Sequence, residues 1–202
     1  EVPDALAPLG GHVAIAADEA FAFAYPHLLD GWRCAGARLS PFSPLADEAP
    51  AEDADAVFLP GGYPELHAGR LAANSGFLAG LKRASERGAL IYGECGGFMV
   101  LGEGLTDAGG ARHGMAGLLP LETDFLRRKL HLGYRRLTHD SALPWPAALR
   151  GHEFHYSTLT RQETCEPLFA AADSTGQDLG PMGLRRGKVM CAYIHVIAPA
   201  TV

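Results

Sequence analysis

The chain of 202 residues lacks the features that mark several common classes of protein. No apolar run approaches the roughly 18 residues that a membrane-spanning helix requires. No basic segment runs into an apolar one near the start, so no secretory signal is read there. The four cysteines, Cys34, Cys95, Cys165 and Cys191, include no C-x-x-C pair, which removes zinc knuckles and thioredoxin-type redox motifs. An even cysteine count without a secretory signal is no evidence of disulfides, and a reducing, cytoplasmic setting is expected. Positive charge is scarce: 17 Lys and Arg face 23 Asp and Glu, for a net charge of −6. Phosphate backbones are bound by concentrated cationic side chains, so neither nucleic acid nor a membrane is an expected partner. There is no G-x-x-x-x-G-K-[ST] and no G-x-G-x-x-G, so no known device for nucleotide phosphates is present.

The residues that are there can build an ordinary core, since 48% are hydrophobic and the length suits one large domain. The loop-like opening EVPDALAPLGG begins with Glu1, so residues 1–11 are expected to be a linker remnant of a longer polypeptide. From residue 12 the pattern alternates. HVAIAADE (12–19), RLSPFSPL (38–45), DADAVFLPGG (53–62) and ALIY (89–92) are short apolar runs expected as strands of a parallel sheet. FAYPHLLDGWRCAGA (23–37) and NSGFLAGLKRASERG (74–88) carry apolar residues at helical spacing, the second with Asn74 as an expected N-cap. GGFMVLGEG opens a short helix. Such β/α alternation predicts an open, mostly parallel sheet with helices on both faces. Beyond about residue 111 the texture is alternating and turn-rich. GMAGLLPLETDF, KLHLGYRRLTHD, GHEFHYSTLT and GKVMCAYIHVIA are expected as strands and antiparallel hairpins, and 165–180 as a strand followed by a turn-rich loop.

The stretch ALIYGECGGFMVLGE (89–103) sets a thiol at the end of a buried strand and before two glycines. A lone cysteine in apolar surroundings is ordinarily inert. Strand-turn-helix geometry with flanking glycines changes that reading, because it holds a side chain at a strained, exposed apex where helix amides favour the thiolate. A thiolate attacking a carbonyl needs a base and donors for the developing oxyanion. The Gly-rich loop LPGGYPE (59–65) ends the neighbouring strand, and the amide of Gly96 adjoins the thiol. His152 and His155 in GHEFH stand three apart on an extended stretch, so they do not form the H-E-x-x-H helix of a zinc protease, and no metal site is expected. His195 is expected at the carboxyl end of the last apolar strand. His12, His27, His67, His113, His131 and His139 carry no pattern that singles them out.

Taken together, PGGYPE, GECGGFMVLGE and GHEFHYS, with a late strand carrying a histidine, resemble a class I (triad-type) glutamine amidotransferase domain, whose fold is flavodoxin-like. More closely they are similar to the C-terminal glutaminase domain of the cobyrinic and hydrogenobyrinic acid a,c-diamide synthase family, from about residue 12 onward. DEAFAFAYPHLLDGW, FSPLADE and LGYR add to the likeness. The resemblance implies that Cys95 attacks the side-chain amide of glutamine, with His195 managing protons and the amides of Gly62 and Gly96 as oxyanion hole. It implies that residues around His155, Tyr156 and Ser157 hold the substrate's α-amino and α-carboxylate groups. Common class I domains read H-P-E where this chain has His195-Val196-Ile197, so the orienting carboxylate is missing there; Glu94 and Glu153 are the candidates to replace it. The resemblance further implies no cofactor in residues 12–202. An N-terminal synthetase domain of the same polypeptide would bind ATP and magnesium and activate corrinoid carboxylates. Sister families, cobyric acid synthase and nickel-sirohydrochlorin a,c-diamide synthase, and a non-catalytic docking domain of the same fold, remain as alternatives.

Overall fold

The computed structural model describes residues 5–200, so residues 1–4 of the expected linker lie outside the described residues. The first hundred residues alternate as the sequence implies. In order they form β1 (His12–Ala16), α1 (Pro26–Cys34), β2 (Arg38–Phe42), β3 (Ala56–Leu59), α2 (Ala68–Ala73), α3 (Ser75–Glu86), β4 (Leu90–Glu94) and α4 (Gly96–Leu101). Strand β1 stops short of residue 19 because Asp18 turns the chain, its carboxylate accepting from the Ala20 and Leu45 amides at 2.9 and 2.8 Å. Helix α1 starts at Pro26 rather than 23, since proline suits a first helical position. Residues ahead of it stay extended, with Phe23 bridged to Gly61. Asn74 precedes α3 but does not cap it; its side-chain amide donates instead to the carbonyls of Pro44 and Leu45. Helix α2 was not anticipated.

The second half is β-rich: β5 (Gly104–Thr106), β6 (Arg112–Gly114), β7 (Leu121–Asp124), β8 (His131–Thr138), β9 (Ala148–His155), β10 (Thr158–Gln162), β11 (Glu166–Asp173), β12 (Asp178–Arg186), β13 (Val189–Ala192) and β14 (Ile194–Pro199). A ten-stranded sheet has the order β14-β9-β8-β11-β12-β13-β4-β3-β1-β2, and a smaller one β10-β7-β5-β6. The run from β2 to β13 is parallel, and the antiparallel hairpins extend it by as many strands again.

Two stretches expected as single units are each divided between partners. GHEFHYSTLT ends β9 at His155 and reappears as β10 in the small sheet. GKVMCAYIHVIA breaks at Tyr193: β13 lies beside β4, whereas β14 pairs with β9. Residues 192 and 194 thus belong to strands far apart in the order, which requires the sheet to curl until β9 reaches the end of β4. His195 is consequently the second residue of β14, not the end of a strand.

Strands β1, β3, β4 and β13 are buried at every position, as strands covered on both faces must be. Alternate residues feed two cores. Ala14, Val57, Leu59 and Ile91 pack with Leu71, Phe77, Leu81 and the α4 side chains on one face. Val13, Ile15, Phe58 and Tyr92 pack with Leu28 and Trp32 of α1 on the other. Leu6 and Leu9 join this second core, and Trp145 Nε1 donates to the Ala7 carbonyl at 2.9 Å. Among the described residues no helix is long and apolar enough to cross a membrane.

Candidate active site

Cys95 occupies the turn between β4 and α4 with φ +48° and ψ −98°. Only Asp47 shares a positive φ among the described non-glycine residues. Such a backbone costs about 1–3 kcal/mol and persists only where its surroundings over-determine it. Here the Cys95 amide donates to the Ala192 carbonyl at 2.9 Å and the Gly97 amide to that of Pro60 at 3.2 Å. The glycines are sterically required: a Cβ on Gly97 would run into the Leu59 carbonyl, and one on Gly93 would lie 2.7 Å from Leu101. The turn directs the thiol into a cavity of about 540 Å³ whose walls include Phe23, Tyr25, Gly62, Glu65, His155 and His195.

The sulfur lies 3.7 Å from the Phe154 carbonyl, to which its S–H donates. Burial pushes the thiol up to about 12, helped by the charges of Glu65 and Glu94, while hydrogen bonds from the Gly62 and Gly96 amides pull the other way. Both amides expected as oxyanion donors therefore act on the Cys95 sulfur. They are brought together by contact between their loops, since a Cβ on Gly96 would sit 3.1 Å from the Gly62 nitrogen.

His195 stands over Gly61, where any Cβ would collide with its ring. Its ring meets Tyr25 edge-on at 6.1 Å between centroids. Burial, with a smaller contribution from the neighbouring His152 and His155, lowers the imidazole to about 4. The two candidate orienters part here. Glu94 Oε2 lies 3.7 Å from His195 Nδ1, and its Oε1 accepts from the Val196 amide at 2.9 Å. Burial raises this carboxyl to about 8, against the opposing pull of that amide.

Glu153, the other candidate, does not approach the His195 ring. On β9 it stands opposite Ile194, one place out of step with the His152–His195 pair, and successive strand residues face opposite sides. Its carboxylate is held instead by His155 Nε2 at 2.9 Å and by Arg135 at 2.7 Å.

The HYS string is divided as well. His155 and Tyr156 line the Cys95 cavity, whereas Ser157 lines a second cavity and donates to the Tyr193 hydroxyl at 2.8 Å. The strand has ended and the chain is crossing to the small sheet, which turns Ser157 away. Atoms of His131, Glu153 and His155 lie within 4.8 Å of one another, as metal ligands would. The two rings are stacked 3° from parallel, however, and both Glu153 oxygens are engaged, so their lone pairs do not converge on an ion.

Glu65 was not singled out from the sequence, although it closes the PGGYPE motif. Its Oε2 is buried with no hydrogen-bond partner among the described residues, and burial raises its carboxyl. A carboxylate so placed in an open cavity awaits a cationic or hydrogen-bonding ligand. Its depth could not be read from PGGYPE, because it depends on Cys95 arriving from β4.

The sequence profile of the CobB/CobQ-like glutamine amidotransferase domain matches residues 12–201. The chain belongs to that family. Hydrogenobyrinate a,c-diamide synthase of Brucella abortus is 58% identical over 192 residues, which cover 95% of this chain and 44% of that protein. The synthase of Mesorhizobium japonicum is 53% identical over 201 residues, 98% of this chain and 46% of the relative. The chain thus spans less than half the length of these relatives. Among solved structures, one glutamine amidotransferase aligns with a TM-score of 0.60 at 16% identity, over 91% of this chain and 89% of that one. PurLQS from Thermotoga maritima aligns at 0.57 and 16%, over 92% and 86%. At such identities these likenesses concern the fold, and it is the fold expected from the sequence.

Proposed function

We propose that this chain hydrolyses glutamine through a thioester on Cys95, in a longer polypeptide that amidates the a and c side-chain carboxylates of a corrinoid, hydrogenobyrinate by likeness to its relatives. One observation carries the reading: a strained cysteine opens on the same cavity as a buried histidine, with two backbone amides aimed at its sulfur. His195 takes the thiol proton as the sulfur attacks the carboxamide carbon. The oxygen that gains charge meets the Gly62 and Gly96 amides. The carbon–nitrogen bond then breaks, His195 returns the proton, and ammonia leaves. Water, deprotonated by His195, cleaves the thioester to glutamate and restores the thiol.

Glu94 is assigned the missing orienting role, through its carboxylate near Nδ1. Glu65 is assigned the α-ammonium of glutamine, the cation its buried oxygen lacks. His155 and Tyr156 remain assigned to the α-carboxylate side. The reading gives this chain no cofactor and leaves ATP and magnesium to a synthetase domain upstream, in a cytoplasmic setting that keeps the thiol reduced. The test is labelling by a diazo-oxo-norleucine electrophile, read by mass spectrometry. A mass gain at Cys95 that disappears in Cys95→Ala is expected; labelling confined to the exposed Cys34 would sink the assignment.

A further inference from the structure

Beside the cavity mouth, strands β8 and β9 present three cross-strand pairs: Leu132 with Phe154, Tyr134 with His152, and Arg136 with Arg150. Residues two apart on a strand share a face, so all six side chains stand on one side of the sheet. Leu132 is 56% and Tyr134 67% exposed. The solvated face of an antiparallel sheet is normally polar, and contiguous exposed apolar groups mark an interaction site. Ring contacts carry the patch from Tyr134 to His152, Phe154 and Tyr156, with centroids 5.5, 6.4 and 5.6 Å apart.

The third pair is independently anomalous. Arg136 and Arg150 are both exposed and lie directly opposite each other, an arrangement that destabilises a sheet unless negative charge lies between. Both also line a cleft of about 120 Å³, where Arg136 reaches the Ser174 carbonyl at 3.3 Å but no carboxylate. In a chain of net charge −6, such a concentration of arginine calls for an acidic counterpart. The face is also continuous with the site, because His152 pairs on its other side with His195.

We propose that this face docks the companion domain that makes up the remaining length of the relatives, and that the companion meets it with an apolar patch rimmed by acidic side chains. The proposal rests on glutamine hydrolysis at Cys95. The relatives are more than twice as long as this chain, so a second folded unit is available to cover the patch. Seating it here would also close the mouth of the cavity in which ammonia is released.

The experiment uses the full-length polypeptide, companion domain included, with two double variants: Leu132→Asp/Tyr134→Asp and Arg136→Glu/Arg150→Glu. Glutamine hydrolysis is expected to stay within threefold of wild type. Glutamine-supported amide formation should fall at least tenfold, while amide formation from added ammonium chloride is retained. Unchanged glutamine-supported amidation in both variants overturns the docking assignment. So does a wild-type dimer that the variants dissociate with coupling intact, since a second copy would then occupy the face. If the aspartate pair fails to fold, the arginine pair decides, its side chains being exposed. A wild-type protein that hydrolyses no glutamine would instead refute the reading of Cys95.

Discussion

Glu94→Gln separates the structural cost of the buried carboxyl from its service to His195. The side chain is fully enclosed beneath the Cys95 turn, and burial lifts it from 4.5 to about 8. A carboxyl raised in the folded state keeps its proton where the unfolded chain has lost it. Its stabilising effect is therefore complete below pH 4.5 and is lost as pH rises to about 8. At 1.36 kcal/mol per pKa unit, the interval between pH 5 and pH 8.5 amounts to about 4 kcal/mol. Glutamine has nearly the same shape and no charge, so the variant should gain on wild type by about that much across the interval. His195, lowered to about 4, has the opposite sign: it makes the fold less stable as pH falls from 6.5 toward 4. That contribution is common to both proteins and cancels in the difference. Urea denaturation at pH 5, 7 and 8.5, followed by circular dichroism, measures the gap. A difference between variant and wild type that stays constant with pH would refute the argument, because the carboxyl would then titrate alike folded and unfolded. The gain in stability should come with a loss of function. If the carboxylate positions the His195 ring, glutaminase kcat should fall about 10- to 100-fold in the variant, with the larger deficit above pH 8, where wild-type Glu94 is ionised.

The resting thiol, pushed up to about 12, should react with iodoacetamide at a rate rising about tenfold per pH unit from pH 7 to 10. A plateau near neutrality would show that Cys95 already rests as a thiolate. Glu65→Gln should raise KM for glutamine about 10- to 100-fold, the worth of one hydrogen bond to a charged group, with kcat within threefold. A substrate lacking the α-amino group should not distinguish the variant from wild type, and steady-state kinetics with both substrates tests this.

The parallel half of the fold was legible because burial on both faces forces continuous apolar runs, as in β1, β3 and β4. The cysteine turn was legible for a related reason. The turn packs so closely against α4 and the Leu59–Pro64 segment that little room is left for a Cβ at Gly93, Gly96 or Gly97, and all three fall in one short window of sequence. The rest was set by pairing between distant segments, which no window of sequence contains. GKVMCAYIHVIA reads as one strand because both halves are apolar; only the partners β4 and β9 divide it at Tyr193. The end of β9 at His155 turns Ser157 away from the cavity, and the register of β9 against β14 sends Glu153 to Arg135. Glu94 and Glu153 were equal candidates in the sequence and are unequal in space, since one follows β4 toward His195 and the other faces the far side of β9.

The raised thiol and the lowered imidazole bear on how the proposed hydrolysis is restrained. With the thiol at about 12 and the imidazole at about 4, moving the proton between them spans about eight pKa units, or about 11 kcal/mol. Attraction between two unit charges in contact returns about 4 kcal/mol under the screening typical of protein sites. About 7 kcal/mol is left for substrate and surroundings to supply. The assigned α-ammonium of glutamine, seated on Glu65, would neutralise one of the two carboxylates that hold the thiol up. Substrate binding thus relieves the thiol half of the pair without any change at the Tyr134–His152 face, which is why glutamine hydrolysis is expected to survive disruption of that face.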